Sequence, residues 1–107
     1  MAIDQTVRCC REVSGMTLFD VGYKDAVGEM AFGSLVIEKL DPTFGMWLAV
    51  AQLQSSDEPD NGSGIVRFDC GATSNFQSGQ FRYRVVLSDS VGATNEFTGD
   101  FPADICT

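Results

Sequence analysis

The most constraining feature of the sequence is an alternating segment at residues 80–88. Large apolar side chains occupy every second position of this segment, at Phe81, Tyr83, Val85 and Leu87. Because successive side chains of a β-strand point to opposite faces of its sheet, this period of two predicts a strand with one buried face. Burial contributes on the order of 1.5–3 kcal/mol per side chain, so a register shift of one residue would be prohibitively costly.

Six further segments have strand character. In residues 64–70, Val66, Phe68 and Cys70 share one face, and Gly71 ends the run. The other five predicted strands cover residues 6–10, 16–21, 33–38, 45–53 and 93–101. Strands separated by turns, without intervening helices, are typical of a sandwich or a small barrel. The sequence therefore predicts an all-β fold, an immunoglobulin-like antiparallel β-sandwich of about seven strands.

The length and charge of the chain limit what this fold can do. A chain of 107 residues supplies one core, so we expect residues 1–107 to form a single domain. Fifteen acidic residues against seven basic ones give a net charge of -8, which has the wrong sign for neutralising phosphates. We therefore expect no nucleic-acid partner.

The N-terminus and the apolar segments bear on localisation. Residues 1–6 contain neither a basic region nor a long apolar run, so no secretory signal is recognised there. The longest apolar stretches, at residues 35–37 and 46–51, are far shorter than a bilayer-spanning helix. These observations predict a soluble protein that is made in a cytosol and has no membrane partner.

Four cysteines, Cys9, Cys10, Cys70 and Cys106, admit three fully paired arrangements, and their spacing does not select one. On a strand the neighbouring pair Cys9 and Cys10 would point to opposite faces, which leaves distant pairing or free thiols. Without a signal peptide, we expect buried, reduced thiols. The absence of histidine and of any CxxC pair argues against zinc.

Residues suited to catalysis or to cofactor binding are scarce. The chain has no histidine, which removes the commonest general base and every Ser-His-Asp arrangement. The polar segment 55–64 begins a pattern that resembles a calcium loop from Asp57, but Pro59 occupies its third position and Phe68 its twelfth, where ligands are required. No two carboxylates are singled out by their spacing. The sequence predicts a protein that is not an enzyme and that has no metal or cofactor.

Two aromatic residues differ from the others in their context. Most aromatic side chains lie at predicted strand positions, where packing in the core is expected. Phe44 instead follows Asp41 and Pro42 in a turn, and Phe76 lies in the polar connection at residues 73–79. An aromatic side chain on a turn needs something to bury it, so we predict that Phe44 and Phe76 belong to an interface.

The C-terminal half carries a family resemblance. It rests on a pattern of glycines, aromatic residues and a terminal strand, found in residues 64–68, 79–89, Gly92, 97–101 and 103–105. This pattern resembles the immunoglobulin-like β-sandwich modules of tailed-phage virion proteins, including the N-terminal domains of baseplate upper proteins and related tail, neck or head-decoration modules. The resemblance covers about 45 residues.

The resemblance implies a non-enzymatic structural protein of a bacteriophage virion. Such a protein would be made in the host cytoplasm and would dock onto or decorate capsid or tail components. Homo-oligomerisation is expected because virion positions are symmetric. The alternative is a secreted or surface immunoglobulin-like binding domain stabilised by disulfides, which would have oxidised cysteines and a glycan on Asn61.

Overall fold

Seven β-strands make up most of the protein. The computed structural model describes residues 3–25, 31–57, 63–89 and 94–106. The strands are β1 (Ile3–Val13), β2 (Met16–Asp25), β3 (Ala31–Asp41), β4 (Met46–Asp57), β5 (Ser63–Ala72), β6 (Phe81–Asp89) and β7 (Thr94–Phe101). A single 3₁₀ turn, Thr73–Phe76, lies between β5 and β6. In the described part of the chain, no helix has the length and apolar composition needed to span a bilayer.

The strands form two antiparallel sheets that face each other. One sheet has the order β1-β2-β5, and the other has the order β4-β3-β6-β7. Hairpins join β1 to β2, β3 to β4 and β6 to β7, whereas the connections between β2 and β3, β4 and β5, and β5 and β6 each link the two sheets. The predicted all-β, immunoglobulin-like sandwich of about seven strands is confirmed.

Alternation places the core between the two sheets. The four apolar residues of β6, Phe81, Tyr83, Val85 and Leu87, are all buried, whereas Arg82 between them is exposed. The other strands contribute buried residues in the same way: Phe19, Val21 and Tyr23 of β2, Leu35 and Ile37 of β3, and Val66, Phe68 and Cys70 of β5. The predicted buried face of β6 is therefore confirmed, and in β5 the inner face is the one that carries Val66, Phe68 and Cys70.

The prediction that Phe76 contributes to an interface is wrong. The 3₁₀ turn folds its side chain into the core, where only 9% of its surface remains exposed. Its ring meets the rings of Phe81 and Phe101 edge-on, with centroids 5.5 and 5.0 Å apart. The domain therefore buries Phe76 by itself.

The expectation of reduced thiols is wrong for two of the four cysteines. Cys9 and Cys106 form a disulfide whose Cα atoms are 5.0 Å apart, while Cys10 and Cys70 are free and buried. The bridge forms because the chain returns beside β1 after β7. There the Cys10 N–H donates to the carbonyl of Asp104 at 2.8 Å, and the Cys106 N–H donates to the carbonyl of Cys10 at 3.1 Å.

Three segments that the sequence assigns to connections fall partly outside the described residues. They are residues 24–30, where crowded glycines disfavour a stable helix, the polar segment 55–64, and residues 89–92, where Asp89, Ser90 and Gly92 indicate a turn. The described ends of the polar segment 55–64 belong to strands rather than to a loop, because β4 continues to Asp57 and β5 begins at Ser63.

Truncating the two non-strand phenylalanines should give opposite results. We expect Phe76→Ala to lower the free energy of unfolding by about 3–5 kcal/mol, because it opens a cavity among Phe81 and Phe101. Phe44→Ala removes an exposed ring, so we expect a change below about 0.5 kcal/mol. Denaturant unfolding of both variants measures the difference, and equal losses would contradict these burial assignments.

Candidate interaction surface

The turn between β3 and β4 holds Phe44 in solvent. The carboxylate of Asp41 accepts a hydrogen bond from the Thr43 N–H at 2.9 Å, and the carbonyl of Asp41 accepts one from the Gly45 N–H at 2.8 Å. Gly45 closes the turn at a φ of 67°, a left-handed conformation that glycine adopts without strain. The ring of Phe44 at the tip is 75% exposed. The domain therefore leaves Phe44 unburied, and its role in an interface stays a prediction.

Three further apolar side chains continue from Phe44 along β4. Met46, Leu48 and Val50 are 57%, 49% and 51% exposed. We call these three residues together with Phe44 the β4 strip. Leu48 lies opposite Lys39 in the β3–β4 pairing, on the side of the sheet that faces the other layer. Met46 and Leu48 thus lie on the inner side of the four-stranded sheet, in a part that the smaller sheet does not cover.

The course of β4 explains why only part of its inner face is covered. Beyond a bulge at Val50, Ala51 and Leu53 pack against the core. The C-terminal end of β4 also meets β5, where the Ser55 hydroxyl donates to the carbonyl of Arg67 at 2.8 Å. The N-terminal half of β4 therefore projects past the covered region with its apolar side chains exposed.

The strip lies on an uncharged sheet edge. Among the described strands, β4 pairs only with β3, so it ends the four-stranded sheet. Residues 46–56 contain no charged side chain and no proline, although the whole chain has a net charge of -8. Edge strands expose unpaired main-chain groups, and lysine or proline commonly protects them from pairing. Beside Leu48 and Val50, Pro42 helps to line a concavity of about 290 Å³.

The outer face of the four-stranded sheet has a different character. A shallow concavity of about 670 Å³ lies there, lined in part by Glu38, Trp47, Arg82, Arg84 and Asp100. The guanidinium of Arg82 stacks 4.3 Å from the centroid of Trp47 and donates to Glu38 at 2.8 Å. The charged side chains that line this concavity carry both signs, and among them Arg82 is paired with Glu38.

The outer face of the three-stranded sheet contains a paired buried carboxylate. Asp20 is only 3% exposed. It accepts two hydrogen bonds from Arg67, at 2.7 and 3.1 Å, and one from Arg11 at 3.1 Å. A buried charge needs such partners, so the cluster ties β1, β2 and β5 together. This arrangement is structural.

The two free thiols lie in the core and are poorly suited to chemistry. Burial raises the pKa of Cys10 to about 11 and that of Cys70 to about 12. The Sγ of Cys10 also accepts a hydrogen bond from the Ala103 N–H at 3.2 Å. Because the thiolate is the reactive form, neither group is activated as a nucleophile. No cluster of three or more metal-ligating side chains occurs among the residues that the structure describes.

No protein-family model matches the chain, and no curated protein matches its sequence. The surface is therefore interpreted from its own geometry. Of the two residues predicted for an interface, the fold leaves Phe44 exposed and removes Phe76 to the core. Met46, Leu48 and Val50 are the additional exposed residues that join Phe44.

The buried thiols predict a loss of stability at alkaline pH. In the unfolded chain these thiols ionise near pH 9.0, whereas the folded chain keeps them protonated to about 11 and 12. The unfolded state therefore binds fewer protons above pH 9, and the free energy of unfolding should fall as the pH rises from 9 toward 11. Below pH 9 these thiols should make no difference. Denaturant unfolding across this window measures the slope.

A variant without the free thiols provides the control for this slope. In Cys10→Ala/Cys70→Ala, the part of the slope that comes from the two thiols should disappear, while the contributions of the other titrating groups remain. If the free energy of unfolding fell equally steeply with pH in the parent and in this variant, the burial of the thiols would be contradicted.

Proposed function

We propose that this protein is a non-enzymatic assembly module that docks onto another protein surface through the β4 strip. Phe44, Met46, Leu48 and Val50, between 49% and 75% exposed on an uncharged edge, are the observation that carries the proposal. Single exposed apolar residues are common, but a contiguous apolar row is typical of an interaction site.

The physical chemistry of the strip supports docking. Each apolar side chain removed from water contributes roughly 25 cal/mol per Å² of buried area, and Phe44 offers a rigid aromatic ring at its most exposed point. The adjacent edge of β4 can add main-chain hydrogen bonds to a partner strand. A surface with both features suits a permanent structural contact.

The setting that we propose is a bacteriophage virion. The protein would decorate or stabilise the capsid, or attach to tail, neck or baseplate components, after synthesis in the host cytoplasm. The resemblance of the C-terminal half to phage virion modules supports this assignment. A compact sandwich also suits the role, because such a position requires rigidity and a docking surface but no catalytic group.

Loss of the aromatic anchor should prevent incorporation into particles. We expect wild-type protein to be present in purified particles of the encoding phage at a fixed copy number, measured by quantitative mass spectrometry. Phe44→Asp places a charge in the docking surface and should reduce this copy number at least tenfold. Val13→Asp is the matched control, because Val13 is 48% exposed on the other sheet. The proposal fails if wild-type protein is absent from particles or if both variants are incorporated equally.

One observation favours a second candidate function, a secreted or surface binding domain. The Cys9–Cys106 disulfide links β1 to the C-terminal segment, and disulfides persist mainly in oxidising compartments. The glycosylation acceptor that this candidate would use, Asn61, lies outside the described residues.

Mass spectrometry of natively produced protein separates the two candidates. An intracellular virion component should contain no glycan on Asn61, whereas a secreted domain made in a glycosylating host should carry one. For either candidate, unfolding without reductant should expose two thiols, from Cys10 and Cys70, and reduction should expose all four. A glycosylated, secreted product would favour the second candidate.

A further inference from the structure

We infer that the partner of the β4 strip is a second copy of this chain, paired antiparallel along β4 across a two-fold axis. This inference rests on the proposed function as an assembly module and specifies what binds at the same surface. The two four-stranded sheets would then join into one continuous sheet.

The edge of β4 is available for pairing. β4 ends its sheet, and in the described residues no main-chain hydrogen bond lies on its outer side. Its N-terminal half lacks the protective lysine or proline that commonly prevents edge-to-edge association. A second strand can therefore satisfy the main-chain donors and acceptors that now face solvent.

The charge distribution along the edge permits an identical copy as the occupant. Each chain has a net charge of -8, so two copies repel each other at most orientations. Residues 46–56 are uncharged and provide an approach without opposing acidic side chains. The nearest charged side chains on this face, Lys39 and Asp41 of β3, are of opposite sign, so they give no net preference for a basic partner. An identical copy needs no opposite charge.

The strip is also complementary to itself in one register. In an antiparallel pair, residues directly opposite each other point to the same face. Pairing centred on Leu48 sets it opposite the partner's Leu48 and sets Met46 opposite the partner's Val50, so all exposed apolar residues of the strand meet. On the other face, Trp47 lies opposite the partner's Ala49, a large side chain beside a small one. Such reciprocity is what a two-fold interface requires.

The bulge limits the length of this pairing. Regular pairing between β3 and β4 is interrupted at Val50, where β4 contains one extra residue. Because a bulge bends its strand, the new pairing should end there. It therefore covers residues 46–50, and Phe44 extends the apolar contact beyond the paired segment.

Light scattering tests the dimer in the purified full chain. We expect a native mass twice the 11.6 kDa of one chain. Leu48→Lys should return the mass to that of one chain, because an edge lysine opposes pairing and would face its own copy. Val13→Lys, at 48% exposure against 49% for Leu48, should remain dimeric. A monomeric wild-type protein at all concentrations, or a dimeric Leu48→Lys variant that melts like the parent, would overturn the inference.

Cysteine cross-linking tests the register. Opposite residues in an antiparallel pair have Cα atoms about 4.5–5.5 Å apart, within the range that a disulfide needs. Leu48→Cys should therefore form a covalent dimer on mild oxidation. Met46→Cys and Val50→Cys should not cross-link alone, but a mixture of the two should give a mixed dimer. Cross-linking of Met46→Cys with itself, or none for Leu48→Cys in a dimer, would overturn this register.

The outcomes separate this inference from the proposed function. A monomer whose Phe44→Asp variant still fails to enter particles would overturn self-pairing and leave the assembly function intact. A cross-linked dimer that is absent from particles would support self-pairing and contradict the virion role.

Discussion

The two layers of the sandwich differ in width, and this constraint governs the rest of the molecule. Alternate side chains of every strand must be buried between the sheets, but three strands cannot cover the whole inner face of four. The centre of the larger sheet is fully covered, as the complete burial of Leu35, Ile37 and Val85 shows. The uncovered part of the inner face lies on the edge strand β4, where apolar residues remain in solvent.

On the side of the sandwich away from β4, several independent interactions join β1, β7 and the C-terminal segment. The C-terminal segment pairs with β1 near Cys10, and the Cys9–Cys106 disulfide holds it there. Arg8 covers the ring of Phe97 at 3.7 Å, which closes the gap between β1 and β7. One side of the molecule is therefore closed by its own chain, while the N-terminal half of β4 is left open.

The strands could be predicted from the sequence because their signal is local. The period of two in β6 identified both the strand and its buried face, and the alternation of Val66, Phe68 and Cys70 identified β5 as a strand. Phe76 was misassigned because its burial depends on a 3₁₀ turn that brings it between Phe81 and Phe101, which lies 25 positions away in the sequence. The pairing of Cys9 with Cys106, separated by 97 positions, depends likewise on the return of the chain to β1.

The candidate surface could be predicted only in part. Phe44 was identified because an aromatic residue in a turn has no local means of burial. The rest of the strip was not, because β4 is apolar on both faces, with Trp47 and Ala49 opposite Met46, Leu48 and Val50. Such a strand is typical of a fully buried position. Its exposure follows from the strand order and the unequal sheets, which periodicity does not reveal.

Hydrogen exchange of the β4 amides over a protein dilution series tests most directly whether this edge is the contact surface. We expect amides in residues 46–50 to be protected at high concentration and to exchange faster on dilution, while the amides of β6 in the sheet centre do not change. Exchange in residues 46–50 that is fast and independent of concentration would rule out this edge as the contact surface, as would concentration-dependent protection confined to another edge.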